Sequence, residues 1–333
     1  MKPIAEAYNV SADEFHNEVL PTGKPVVMRG LVNTWPIVEA GKSGAVSFCN
    51  YLKRFDRGYD VNTVYGPPSI GGRIFYNKDM SGLNCRMGQA KLPGSLDYLL
   101  EHMEDNPAPT LAIQSVIIHQ YLPGLQLENS LGLLPEKIEP RIWIGGRSTV
   151  AAHYDSSENI ACCVAGRRRF TLFPPEQISN LYVGPIELTP AGATISMVDM
   201  NQPDYEKYPK FKQAEEAAMY AELEPGDAIF IPYMWWHHVV ALEGINALIN
   251  YWWGEARESH GDPRNALLHA MMSIRSLPER HRQAWQAMFE HYVFNDGKTA
   301  EHLPEERRGI LGQLKPEALK QLRMALSKAL SRF

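Results

Sequence analysis

The sequence predicts a mainly β fold of the sandwich or barrel kind, with flanking helices and a C-terminal helical tail. Three features carry this expectation. From about residue 140 to 254, short apolar runs alternate with turn signals. Residues 60–140 are rich in Gly, Pro and Asn and read as long ordered loops that cover a site. After Gly254 the apolar residues recur at helical spacing.

The elements follow in order. Ser11 to Leu20 reads as a short helix with Ser11 as its cap. Lys24 to Gly30 reads as a strand closed by glycine, and a helix is expected near Ser95 to Met103. In the β region, Arg141-Ile142-Trp143-Ile144 is one strand, and Phe170-Thr171-Leu172-Phe173 is another, stopped by Pro174-Pro175. Ala228-Ile229-Phe230-Ile231 follows the turn Glu224-Pro225-Gly226-Asp227 and stops at Pro232, and Ile245 to Trp253 is a longer strand. In the tail, Leu267, Leu268, Met271, Met272 and Arg275 fit one helix. Trp285, Met288, Phe289 and Tyr292 fit a second, and Leu319, Leu322, Ala325, Leu326, Ala329 and Leu330 form the stripe of a third. We therefore expect one domain over residues 1–254 and a helical segment over 255–333.

Composition narrows the class. The chain has 333 residues, 44% apolar and 21% charged, as in ordinary globular proteins. A formal net charge of -5 argues against nucleic acid as the main partner, and the run Arg167-Arg168-Arg169 is too short to track a phosphate backbone. No window of about 18 apolar residues exists, so no membrane span is expected. The first fifteen or so residues lack the apolar core of a signal peptide. Cys49, Cys85, Cys162 and Cys163 show no paired spacing, which fits reduced thiols and a cytoplasmic location.

Two short motifs carry chemistry. In His153-Tyr154-Asp155 the outer residues point to one side of a strand, so an imidazole and a carboxylate converge. Trp235-Trp236-His237-His238 lies some 80 residues later, just beyond Pro232. A histidine from that second strand completes a face of two histidines and one carboxylate. Such a face leaves positions open on an octahedral metal and is the arrangement of non-haem Fe(II) oxygenases. Each motif alone is weak, since H-x-D tripeptides and His pairs recur by chance. Their strength lies in both sitting at strand edges of one β-rich region.

Residues 153–177, 225–239 and 249–253 together resemble the JmjC/cupin-like 2-oxoglutarate oxygenases, in particular the group around the asparaginyl hydroxylase of hypoxia-inducible factor. Residues 24–30 with Trp35-Pro36 resemble the N-terminal region of the same group. The resemblance implies a double-stranded β-helix of the cupin, or jelly-roll, JmjC type. It implies His153, Asp155 and His237 as ligands of Fe(II), and spacing from Pro232 supports His237 over His238, which points to the other face.

The resemblance also implies 2-oxoglutarate as co-substrate. Its 1-carboxylate and keto oxygen would chelate the iron, and its far carboxylate would meet a cation where the related hydroxylase has lysine and this chain has Arg168. Strand parity agrees: Arg168 shares a side with Phe170 and Leu172, while Arg167 and Arg169 share the other with Thr171. Asn159 and Asn250 match positions near the co-substrate, and Thr149 is a nearby hydroxyl in reach of the acid. Trp235, Trp236, Trp252 and Trp253 read first as core, and Tyr65, Tyr76 and Asn77 as loop packing.

The implied reaction consumes O2 and 2-oxoglutarate, releases succinate and CO2, and hydroxylates a C–H bond of a protein or peptide side chain or of a small molecule. The tail's place in the chain resembles the dimerising helices of the asparaginyl hydroxylase, so a homodimer is expected. Two other readings stand beside this one. One is a metal-binding cupin with a different reaction and no 2-oxoglutarate; the other is a non-catalytic binding module on the same scaffold.

Overall fold

The computed structural model describes residues 1–190, 192–254, 261–295 and 298–331. The chain divides into two units, Met1–Gly254 and Glu255–Phe333. The second unit contains the helices Pro263–Ile274, Glu279–Phe289 and Pro316–Leu330. The first of these opens on Asp262, whose side chain accepts from the Arg264 backbone N–H, with Pro263 at a position that needs no donor.

The first unit is the double-stranded β-helix that the resemblance implies. Pro140–Gly145, Glu158–Ala165, Ala228–Ile231 and Asn246–Trp253 lie in one sheet; Ser148–His153, Arg168–Phe173, Met219–Leu223 and Trp236–Ala241 lie in the other. Neighbours within each set pair antiparallel. Proline ends two of these strands as read from sequence, after Phe173 and after Ile231.

Strand Glu158–Ala165 is buried along nearly its whole length, and its two faces serve two cores. Ala161 and Cys163 face the barrel interior with Phe170, Leu172 and Ile229. Ile160, Cys162 and Val164 face outward onto Ile37, Val38, Phe48 and Leu52. Those residues come from the helices Pro36–Lys42 and Ala45–Lys53. Burial on both sides explains the unbroken apolar run over residues 160–165 of this strand. Ser11 does cap a helix, which begins at Ala12 and continues as a π-helical turn over Phe15–Val19.

The loop reading of residues 60–140 needs correction. Asp60–Gly66, Arg86–Lys91 and Thr110–Ile117 are strands that extend the sheet containing Pro140–Gly145, which has nine strands in all. Arg86–Lys91 is almost wholly exposed at the sheet edge, so it has no buried face to impose an apolar alternation. The helix expected near Ser95 runs over Leu92–His102.

One turn ties the outer layer to the barrel. Gly226 has φ 110°, and a Cβ there would overlap the Asn33 side chain, so only glycine fits. Asp227 then accepts from the backbone N–H groups of Gly30 (2.9 Å) and Glu224 (3.1 Å) and from Arg29 Nη1 (2.6 Å). Asp227→Ala removes all three acceptors while the donors stay partly buried. Urea unfolding should show a loss of about 2–4 kcal/mol, against below about 1 kcal/mol for Glu6→Ala, the more exposed partner of Arg29. Equal small losses would show that the turn is not held this way.

Candidate metal centre

Strands Ser148–His153 and Trp236–Ala241 are antiparallel neighbours, and His153 sits directly opposite His237. Their ring centroids are 4.2 Å apart. Each ring is fixed by its own backbone: His153 Nδ1 lies 3.0 Å from the Ala151 carbonyl, and His237 Nδ1 lies 3.1 Å from that of Trp235. A carbonyl only accepts, so each Nδ1 carries the proton and each Nε2 lone pair is left free. Burial, then the neighbouring His237, pushes the His153 pKa down to about 4, so its imidazole is neutral at pH 7, the form that binds metal.

Asp155 lies just past the end of its strand. Its backbone is held by the Met234 N–H, which donates to the Asp155 carbonyl at 3.0 Å. One carboxylate oxygen and one nitrogen of each histidine all lie within 4.8 Å of one another, and His237 Nε2 is 3.7 Å from Asp155 Oδ2. The same Oδ2 accepts from Trp252 Nε1 (3.1 Å) and Asn159 Nδ2 (3.4 Å), and Asn159 in turn accepts from Asn250 Nδ2 (3.0 Å). Asn159 and Asn250 thus form a relay that orients the carboxylate. Trp252, read from sequence as core, belongs to the site; it shares strand parity with Asn250, the one signal that pointed to it.

The three residues line a cavity of about 520 Å³ between the two sheets, within the size range of small-molecule sites. Its walls are mainly apolar, among them Ile74, Met87, Ile113, Trp143, Phe170 and Ile195. Arg168 enters it on the same side as Phe170. No described residue forms an ion pair or hydrogen bond with this guanidinium, and its Nε is wholly buried without a partner. Burial pushes its pKa down to about 10, which still leaves a cation at pH 7. Arg167 and Arg169 face the other way and pair with Glu243 (2.8 Å) and Glu222 (2.6 Å).

Thr149 is not brought to the cavity. Val150 pairs with Val239 and His153 with His237, so three steps along one strand match two along the other. This bulge reverses the inside–outside alternation. Ser148 and Val150 line the cavity before it, Ala151 and His153 after it, and Thr149 is left on the far side. His238 also faces away, into a separate cavity of about 260 Å³ with Arg169 and Thr171, where burial lowers its pKa to about 4. Tyr76 donates to the Leu188 carbonyl (2.8 Å), Asn77 accepts from Gly82 N–H (3.2 Å), and Tyr65 packs on Tyr98. None of these three is among the cavity-lining residues.

The sequence model described as a cupin-like domain matches residues 12–259. The chain belongs to the cupin-like JmjC family. JmjC proteins are Fe(II)- and 2-oxoglutarate-dependent oxygenases. Among the relatives of this cupin-like chain, JmjC domain-containing protein D of Dictyostelium discoideum is 27% identical over 241 residues, covering 70% of this chain and 52% of that protein. Lysine-specific demethylase 8 of Xenopus tropicalis is 27% identical over 259 residues, 75% of this chain and 52% of that protein. The tRNA wybutosine-synthesizing protein 5 of Gallus gallus is 32% identical over 145 residues, 39% and 42%. The chain spans about half the length of these curated relatives.

Trp252→Phe keeps the ring and deletes the donor to Asp155. Anaerobic Fe(II) binding, read by competition with a chelator, should weaken by about 10-fold. Unchanged affinity would remove the indole from the site.

Proposed function

We propose that this chain is an Fe(II)- and 2-oxoglutarate-dependent oxygenase that hydroxylates a C–H bond of a protein side chain or a small molecule. The observation that carries this is Arg168: a half-buried, unpaired cation, its Nε wholly buried, in the same cavity as His153, Asp155 and His237. A charge buried without a partner is costly, and a cavity that keeps one is suited to an anion. This same observation weighs against a cupin that dispenses with 2-oxoglutarate and against a non-catalytic module.

In this reading His153, Asp155 and His237 hold the iron. Arg168 takes the far carboxylate of 2-oxoglutarate in a bidentate fork, a role arginine fills with more directional contacts than lysine. When bound, the pair supplies oxidative decarboxylation of 2-oxoglutarate by O2 to succinate and CO2, coupled to insertion of one oxygen atom into the substrate C–H bond. The chain's own work is positional. Asn159, Asn250 and Trp252 orient Asp155, and the two backbone carbonyls fix the imidazole tautomers. The apolar walls keep water from the reacting groups.

Two features favour a protein or small-molecule substrate over nucleic acid. The net charge is -5, and Arg167 and Arg169 are already engaged by Glu243 and Glu222. The second unit serves, in this proposal, as the contact of a homodimer. Leu267, Met272, Trp285, Met288 and Leu326 on its helices are exposed apolar side chains of the kind an interface covers.

Anaerobic addition of Fe(II) and 2-oxoglutarate should give the weak visible charge-transfer band of the chelate. Arg168→Ala should keep the metal and weaken 2-oxoglutarate roughly 100-fold, the worth of a charge-assisted bidentate pair. No band, together with no succinate in air, would reject the reading. Light scattering should show a dimer for the full chain and a monomer for a chain cut after Gly254; a dimer in both would reject the tail's role.

A further inference from the structure

We propose that the outer face of the sheet carrying His153 and His237 holds a second small-molecule site, shaped for an uncharged aromatic amide. It is separate from the metal centre and independent of the co-substrate reading above. Its place is the cavity of about 260 Å³ onto which His238 faces. The strands Met219–Leu223, Arg168–Phe173 and Trp236–Ala241 are consecutive in their sheet. Thr171 is the cross-strand partner of Tyr220 on one side and of His238 on the other. Directly paired residues share a face, so a phenol, a hydroxyl and an imidazole stand in one row along the cavity floor.

That row is polar and unused. His238 is 5% exposed and Thr171 8%, and no described residue hydrogen-bonds either side chain. Buried polar groups nearly always have partners, so two idle neighbours on one cavity floor point to a ligand. Alternation sends His237 to the metal cavity and His238 to this one, and neither His238 nor Thr171 has a part in the metal chemistry.

The rest of the lining selects the ligand. Phe173 closes one end of the row, with Phe211 of the helix Phe211–Ala217 packed against it at a centroid distance of 6.2 Å. Met200 and Val240 add apolar surface. Arg169 and Glu215 carry opposite charges, and both are engaged. Arg169 donates to Glu222 through Nε (2.9 Å) and Nη2 (2.6 Å), and Glu215 accepts from Tyr205 (2.9 Å). No net charge is left for an ion to neutralise, which favours a neutral ligand. An imidazole beside a hydroxyl offers both a donor and an acceptor, the complement of an amide C=O and N–H. The apolar and aromatic walls suit a flat ring behind that amide. The volume admits a molecule of about ten non-hydrogen atoms in place of several waters. Arg169, Asn201 and Tyr220 are exposed, so the cavity is open to solvent.

The test uses the full chain and benzamide, an uncharged aromatic amide with no ring nitrogen to bind a metal, followed by titration calorimetry. Wild type should bind it with a Kd below about 1 mM. His238→Phe keeps an aromatic ring and removes both nitrogens, and Thr171→Val keeps the shape and removes the hydroxyl. Each should weaken benzamide about tenfold, while Thr171→Ser, which keeps the hydroxyl, should stay within about threefold of wild type. No binding up to about 10 mM would mean that the cavity holds water only, and overturns the site. Equal affinity in all variants would place benzamide elsewhere, the metal cavity included, and overturns it as well. Thermal melting confirms that each variant is folded. Should His238→Phe not fold, the two Thr171 variants decide alone.

Discussion

Two imidazole nitrogens and a carboxylate oxygen reach one point here because His153 and His237 face each other across a single antiparallel pair. Directly opposed residues hold their Cβ atoms about 4.5–5.5 Å apart, close enough for one ion and too close for much freedom. The third ligand has to come from backbone that has left the ladder, and Asp155 does, pinned by the Met234 N–H. The bulge beneath His153 then decides everything deeper in the cavity. A one-residue change of parity swaps which side chains face inward. With the bulge, Ser148 and Val150 share the interior with His153; without it, Thr149 would take their place. The metal centre and the far end of the cavity are thus set by one local irregularity in one strand.

That irregularity explains what was legible in the sequence and what was not. The H-x-D spacing and the histidine after Pro232 give the three converging residues directly, because both depend only on alternation over two residues. Arg168 is legible for the same reason, from its parity with Phe170. The bulge carries no glycine or proline: Val150, Ala151 and Ala152 look like any strand interior, so strand alternation carried up from His153 puts Thr149 on the inward face, where the structure puts Ser148 and Val150. Strand Arg86–Lys91 is missed because an exposed edge imposes no apolar pattern. Trp252 reads as core because a large aromatic side chain on a barrel strand usually is. Its role depends on where one indole N–H points, and no pattern of residue types encodes that.

The second unit poses a different kind of problem. Its helical spacing is plain in the sequence, with apolar residues at three- and four-residue intervals, and the helices form where that spacing places them. An amphipathic face specifies that something covers it without specifying what. The proposal that a second copy of the chain covers it therefore rests on the exposed apolar residues taken with the tail's resemblance in position to dimerising helices, and the helix pattern alone carries less.

Electrostatics links the two ends of the cavity. Within apolar walls an unbalanced charge is costly, and the cavity contains one fixed anion, Asp155, and one fixed cation, Arg168, held at opposite ends and unable to pair. A divalent metal beside Asp155 leaves that end with excess positive charge, because both histidines are neutral ligands, and Arg168 adds more. A ligand with a single carboxylate offsets only part of this. A dicarboxylate long enough to reach both ends neutralises the site in full, with one group at the metal and the other at the guanidinium. In the proposed reading, selection for such a molecule follows from the charge the barrel leaves exposed inside itself.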